Sequence, residues 1–338
     1  MNGRYLVNKF ARAFLTIVAI VLLNFVLFRA MPGSAVRLTH SPYQTQEQIT
    51  QEMHRLGLDQ PLLPITISLS PPELTWNSEN QLFAYIGQTI SGDLGYSFKY
   101  KGQPVTQVIG DRFWPTVILI GFGELIAIIV GLTLGAYSGW RRGSTVDRVG
   151  GGIGLILYSM PYFVIGMPLI IIFAAGLGWF PTSGMFTIGA TYDSALAQVM
   201  DFLHHLVLPL ATVSLGLIGG YSILMRASIV ETRAEDYVTT ARAKGLTDRR
   251  ILRSHAFPNA MLPMVTIIAI NLGYVVGGAI TAEIVFNWPG LGTLTVDALS
   301  ARDYPVLQGI FLLLAVTVVL ANLAADLLYG ILDPRVRS

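Results

Sequence analysis

Six uninterrupted apolar runs, each about 20 residues long, constrain this chain more than any other feature, because each can cross the hydrocarbon core of a bilayer as a helix. They lie at residues 10–28, 116–140, 154–176, 206–225, 262–282 and 308–329. Unpaired backbone amides in hydrocarbon are costly, and the runs lack the in–out alternation of barrel strands, so the spans must be helical. The composition agrees: 12% of the 338 residues are charged, about half the share in soluble domains, and mean hydropathy is +0.58. The sequence therefore predicts an all-α membrane protein of six transmembrane helices and excludes a secreted enzyme or a disordered chain. A formal net charge of +2 supplies no basic field for nucleic acid. With no cysteine there is no disulfide, thiolate nucleophile, zinc–thiolate site or iron–sulfur cluster.

Lysine and arginine placement gives the direction of the spans. Fifteen of the 22 basic residues fall in the N-terminal tail, the loop at Arg141, Arg142 and Arg148, the segment from Arg226 to Arg253, and the tail with Arg335 and Arg337. The loop at 177–205 has none, and that at 283–307 has only Arg302. The positive-inside bias then places both termini in the cytoplasm. The first run is too long for a signal-peptide core and is followed by Arg29, so it reads as an uncleaved anchor. Three regions follow: 1–30, the tail and first span; 31–115, an extracytoplasmic loop region; and 116–338, a five-helix core with a cytoplasmic loop at 226–263. The loop region reads as a helix at 45–56, a proline-rich stretch through Pro61, Pro64, Pro71 and Pro72, a helix at 80–91, and a glycine-punctuated turn at 92–95.

Within the spans, small residues recur four apart at Gly131, Gly135 and Gly139, at Gly216 and Gly220, and at Gly273 and Gly277, which suits close helix packing. Polar groups there are few: Asn24, Glu124, Asn271, Asn322 and Asp326. Two ionisable groups make no relay for a proton-coupled carrier. The segment 226–263 reads as one helix running from the membrane to Lys244, a corner at Gly245 and a short basic helix opened by Thr247 and Asp248. This compact knob invites a reading as a docking element.

Built-in chemistry is not indicated. None of the four lysines follows glycine, so no phosphate-binding loop of the Gly-Lys-Ser/Thr kind is present. No His-Glu-x-x-His motif occurs, and the two helices after Ser222 carry no histidine to activate a serine. His204 and His205 read as structural rather than as metal ligands. The expectation is no catalytic residue and no metal site.

Ordered motifs add a resemblance. Asp236-Tyr237-Val238, Ala241-Arg242-Ala243-Lys244-Gly245 and His255-Ala256-Phe257-Pro258-Asn259-Ala260 resemble the EAA loop of ABC-importer permeases in its peptide-transporter form. Leu56-Gly57-Leu58-Asp59-Gln60-Pro61, Gly92-Asp93-Leu94-Gly95-Tyr96-Ser97, Phe180-Pro181-Thr182-Ser183-Gly184 and His205-Leu206-Val207-Leu208-Pro209 look like that family's outer loops. Glu283-Ile284-Val285-Phe286-Asn287-Trp288-Pro289-Gly290-Leu291-Gly292, Arg302-Asp303-Tyr304-Pro305 and Leu332-Asp333-Pro334-Arg335 look like the C-terminal third of the first permease of dipeptide and oligopeptide importers. Three departures stand out: Ser34 in place of an aspartate, a longer stretch at 66–80, and Glu124 where an apolar residue is expected.

The resemblance implies the type I ABC importer permease fold in a prokaryotic cytoplasmic (inner) membrane. It implies a second homologous permease subunit, two ATPase subunits or one dimeric ATPase that carry ATP and magnesium, and an extracytoplasmic substrate-binding protein. It further implies that Glu235, Asp236, Ala241, Ala243 and Gly245 couple to the ATPases, the acids toward charged partners, the alanines for close packing and the glycine for the corner. Asn271, Gly273, Gly277 and Glu283 are expected along the translocation pathway, and Trp288, Pro289 and Gly290 at an outer-loop turn. Di- and oligopeptides are the leading substrates; nickel chelates, glutathione or oligosaccharides are alternatives within the family, and an ion-gradient carrier is the alternative outside it.

Overall fold

A computed structural model describes residues 3–29, 60–69, 72–100 and 102–332. The chain gathers into two compact units, one of Met1–Phe10, Phe113–Thr293 and Thr317–Ser338, the other of Ala11–Arg112 and Leu294–Val316. The helix expected at 45–56 and the turn holding Ser34 lie outside the described residues.

Helix α1 is Gly3–Arg29, α2 is Gln81–Ser91, α3 is Val105–Trp140, α4 is Thr145–Ser159 and α5 is Tyr162–Leu169. There follow α6, Ala195–Thr232; α7, Asp236–Ala243; α8, Asp248–Ile251; α9, Phe257–Tyr274; α10, Ile280–Val285; α11, Leu291–Ala301; and α12, Tyr304–Leu332. Among the described residues, five helices are long and apolar enough to cross a membrane singly, and α4 with α5 makes a sixth if the pair is one crossing.

That pair corrects the expected continuous span at 154–176: its two helices are bent by 102°. The break falls at Met160–Pro161, where Met160 is extended (φ −85°, ψ 126°). Proline disfavours helical backbone in the residue before it and donates no amide, so the apolar run continues while the helix does not. Beyond α5 the chain coils more widely through Ile170–Gly176. The expected fifth span, 262–282, is also revised. The helix runs from Phe257 to Tyr274, tightens over Val275–Gly277, and is stopped by Gly278 at φ +69° before α10 begins.

The larger unit has its core where α3, α6 and α9 meet. Ala127, Leu132, Ala136, Tyr221, Met225, Ala260 and Met264 form one buried cluster, and Leu119, Ile120, Leu206, Val213, Val275 and Trp288 another. The glycine spacing read from the sequence acts here as a seam. A Cβ added at Gly135 would lie 2.4 Å from the Ser222 carbonyl oxygen, and one at Gly139 2.7 Å from that of Arg226, so the two backbones touch.

In the smaller unit α2 is capped by Asn80, whose Oδ1 accepts the Phe83 amide at 2.9 Å, and is closed by Gly92 at φ +76°. The proline-rich stretch, for which the sequence suggested no regular element, contains two paired strands. They form an antiparallel hairpin, β1 (Ile65–Leu69) and β2 (Pro72–Trp76), with Ile65 opposite Trp76. Pro72 occupies the first position of its strand, where a missing amide is tolerated. The Gly92–Ser97 and Arg302–Pro305 motifs, distant in sequence, meet in this unit. Ser97 Oγ donates to Asp303 Oδ2 at 2.5 Å, and the Lys99 amide donates to the same oxygen at 3.0 Å.

Candidate functional site: the 226–263 knob and the helices above it

The knob is built by two local devices. Its first helix does not continue from α6 as expected. The chain turns over Arg233–Glu235, with the Ala234 amide donating to the Glu231 carbonyl and the Glu235 amide to that of Thr232. Glu235 is extended (φ −72°, ψ 146°) and stands at the N-cap position of a separate α7. At the other end Gly245 has φ +79°, with its amide donating to Arg242 O at 2.9 Å and the Leu246 amide to Ala241 O at 3.3 Å. That left-handed corner is strained for any residue with a Cβ and lets α8 start at Thr247, as the sequence predicted.

Val238, Ala241 and Ile251 are buried and pack into the same cluster as Met225, Ile229 and Trp140. Ala241, expected for close packing, faces the knob's own interior. Glu235, Asp236, Ala243 and Gly245 are exposed. Asn259 Nδ2 donates to Tyr237 Oη at 3.0 Å, tying α7 to α9. Partial burial pushes the Tyr237 hydroxyl above its ordinary pKa, with the Glu235 carboxylate adding to the effect and Asn259 opposing it. Tyr237 is thus a neutral hydroxyl at physiological pH.

Where the knob meets the helices above it, Asp147 and Arg226 form a bidentate pair, Nε to Oδ1 at 2.5 Å and Nη2 to Oδ2 at 2.9 Å. Asp147 is buried and also accepts from Ser138 Oγ at 2.8 Å and from the Gly143 amide at 2.9 Å. Such forked, fully partnered charges are the strong form of this contact. Higher in α3, Glu124 is buried and accepts a short hydrogen bond from the Tyr221 hydroxyl, which in turn accepts from Asn271 Nδ2 at 2.9 Å. This network ties α3, α6 and α9 together, and it is how a carboxyl group is housed among apolar side chains.

The remaining expected positions divide. Gly273 is buried against α12, where an added Cβ would lie 2.4 Å from Ala321 Cβ. Gly277 borders open space, with nothing within 4 Å of an added Cβ. Glu283 is fully enclosed: Oε1 accepts from Thr116 Oγ1 at 2.8 Å and Oε2 from the Thr293 amide at 3.0 Å. Within this chain it fastens the loop at 286–293 and faces protein. Trp288 is fully buried, and its indole Nε1 donates to Pro115 O at 2.9 Å. Pro115 sits within α3, and the Trp288 indole occupies its carbonyl oxygen. Gly290 lies so close that an added Cβ would be 2.4 Å from Thr116 Oγ1.

The family described as "Binding-protein-dependent transport system inner membrane component" matches residues 131–338, and its N-terminal counterpart matches residues 2–120. The chain belongs to this family. It is a multi-pass inner-membrane permease component of a binding-protein-dependent transport system. A provisionally named peptide permease of Brucella suis biovar 1 is 35% identical over 336 residues, 99% of each chain. The oligopeptide transport system permease protein AppB of Bacillus subtilis is 32% identical over 332 residues, 98% of each. The glutathione transport system permease protein GsiC of Escherichia coli O6:H1 is 34% identical over 333 residues, again 98% of each. The inward-facing MetNI methionine ABC transporter has a similar fold, with a TM-score of 0.54 at 18% identity over 69% of this chain and 99% of that one. The fold is the type I ABC-importer permease fold.

Several of the permease's organising residues were not singled out by sequence. Asp147 follows Ser144 by three, the spacing of a capping box, and the Ser144 hydroxyl does accept the Asp147 amide at 3.3 Å. That signal locates a helix start, not an ion pair with a residue in α6. Trp140 ends an apolar run just before two arginines and reads as a membrane-boundary aromatic. Nothing local marks Thr116 or Tyr221. The two neighbouring histidines have separate structural partners: His204 Nε2 lies 2.7 Å from Trp179 O, and His205 Nδ1 lies 2.9 Å from Asp201 O.

Proposed function

We propose that this permease imports di- and oligopeptides by alternating access, driven by ATPase subunits that dock on the 226–263 knob. Both termini and the knob then face the cytoplasm, in line with the lysine and arginine bias. A second, homologous permease completes the pathway, and an extracytoplasmic binding protein delivers substrate. ATP and magnesium belong to the ATPases, one dimer or two subunits; this chain is not itself an enzyme.

The knob is the observation that carries the reading. A buried alanine and valine hold a short helix rigidly, while Glu235, Asp236, Ala243 and Gly245 stay exposed on its surface. Rigid, exposed and attached to the membrane helices is what a part needs if movement of a partner is to be passed on. A peptide substrate follows from the relatives named for peptides, and glutathione, itself a small peptide, is the nearest second reading.

Uptake in cells lacking the gene tests the substrate, with labelled di- and oligopeptides offered beside glutathione, a nickel chelate and a short oligosaccharide, and with complementation as control. Selective loss of peptide uptake is expected. Loss of another solute alone would leave the ATP-driven importer in place and overturn the substrate. Uptake that persisted after the ATPase's phosphate-binding lysine was replaced would point to an ion-gradient carrier. Docking is tested by Gly245→Val: a β-branched residue at φ +79° costs upwards of about 1 kcal/mol and distorts the corner. Co-purification with the ATPase should fall while insertion persists.

A further inference from the structure

We propose that Trp140 is a positioning residue through which movement of α7 enters α3 and α6. The inference rests on the reading of 226–263 as the ATPase-docking segment. Trp140 is the last residue of α3 and is 8% exposed. Two arginines from the knob side hold its indole. The Arg242 guanidinium, in α7, lies 5.5 Å from the ring, and that of Arg233, at the exit of α6, lies 5.8 Å from it. Arg233 Nη1 also donates to the Trp140 carbonyl oxygen at 2.9 Å, taking up an acceptor at the end of α3 that the helix cannot use itself. The indole's apolar surface shares the cluster of Val238, Ala241, Ile251 and Ala256. Both the charged and the apolar sides of the knob thus bear on one side chain of one membrane helix.

What lies beyond Trp140 makes it a lever. Gly131, Gly135 and Gly139 bring the backbone of α3 onto α6 with no room for a methyl group: added Cβ atoms would stand 2.6 Å from Tyr221 Cβ, 2.4 Å from Ser222 O and 2.7 Å from Arg226 O. Helices in such contact move together, because close-packed surfaces do not deform continuously. The turn that follows Trp140 cannot absorb the displacement, since Asp147 holds Gly143, Ser138 and Arg226 at once. At the far end of the seam Tyr221 joins Glu124 to Asn271, which brings α9 into the same body. A displacement of α7 therefore runs through Trp140 into α3 and α6 jointly, and from them to α9.

Packing alone would be served by any large apolar side chain, whereas the arginine grip needs an aromatic face. Trp140→Met and Trp140→Phe separate the two. The full complex, with its ATPase and binding protein, is reconstituted in liposomes, and peptide uptake is divided by ATP hydrolysed. With Trp140→Met, ATPase co-purification and basal hydrolysis should persist while uptake per ATP falls about tenfold, the scale of two such contacts. Trp140→Phe should stay within about twofold of the native ratio, because the ring face is retained. A native ratio in Trp140→Met overturns the proposal. So does an equal loss in Trp140→Phe, which would assign the effect to volume. If Trp140→Met does not assemble, Arg242→Gln takes its place: its side chain is 41% exposed, and a ratio unchanged from native counts against the proposal. Cross-linking of Ala243→Cys to the ATPase is scored separately. Its absence would remove the docking reading and this inference with it, whereas cross-linking with a native ratio in Trp140→Met would remove the inference alone.

Discussion

Thr116 donates a 2.8 Å hydrogen bond to Oε1 of Glu283 across 167 residues of sequence, and its own oxygen accepts the Leu291 amide at 2.7 Å. With the Thr293 amide on Oε2, the buried carboxyl group closes the loop that carries Trp288 and Gly290 onto α3. Removing it orphans two donors in a buried site. Glu283→Ala should therefore cost about 3 kcal/mol or more, and Glu283→Gln, which keeps one acceptor, about half that. Thermal unfolding of the purified permease in detergent reads both. A Glu283→Ala midpoint equal to the native one would show that the loop does not depend on this carboxyl group.

The glycine seam makes a sharper contrast. Gly135→Ala places a Cβ 2.4 Å from a backbone oxygen that no rotamer can move, so α3 and α6 must part. Overpacking of this kind costs about 1–3 kcal/mol or more. Gly151 and Gly152, in α4, have nothing within 4 Å of an added Cβ, and alanine there should be neutral or stabilising by up to about 1 kcal/mol. The amounts of each variant in membranes, with midpoints in detergent, decide it. Equal behaviour of the two kinds of glycine would mean that the contact of α3 with α6 does not depend on the missing Cβ.

The contrast also shows where the sequence was legible. Apolar runs gave the crossings, and the corner at Gly245 and the helix start at Thr247 were readable because caps and left-handed turns are local. Asn80 and Gly92 framed α2 for the same reason. The break at Met160–Pro161 was present as a proline but was masked by hydrophobicity that continues across it, and the hairpin at 65–76 was hidden among prolines. The chain's buried carboxyl groups were harder still. Glu124 stood out as an ionisable group within a span and Glu283 only through the family resemblance, but their partners sit 97 and 167 residues away, and no spacing rule reaches so far. Of the four positions expected along the pathway, Asn271 donates to Tyr221, Glu283 accepts from Thr116 and Thr293, Gly273 packs on Ala321, and Gly277 borders open space.

Glu124, Tyr221 and Asn271 allow a test of whether the buried network stabilises the permease. Tyr221→Phe removes the shared hydroxyl and leaves an acceptor and a donor unmatched, at a cost of about 2 kcal/mol. Adding Glu124→Leu removes one of those orphans and should recover about 1 kcal/mol, because an apolar pair suffers no desolvation penalty. The double variant should thus be more stable than Tyr221→Phe alone. A double variant less stable than either single change would mean that Glu124 has another partner of comparable weight.

Asp303 holds the turn around Lys99 from within the smaller unit. Its Oδ2 accepts from Ser97 Oγ and from the Lys99 amide, and the Ser97 oxygen accepts the Tyr100 amide at 2.8 Å. The residue is fully buried, whereas the nearby Lys99–Asp297 pair, 3.2 Å apart, is half exposed and screened by solvent. The buried contact should therefore dominate. Asp303→Ala should free the turn around Lys99 and speed its cleavage by trypsin about tenfold or more, following a loss of about 2 kcal/mol in local stability. Asp297→Ala should change cleavage by less than about twofold. Matching rates in the two variants would mean that the surface ion pair, and not the buried aspartate, holds this turn in place.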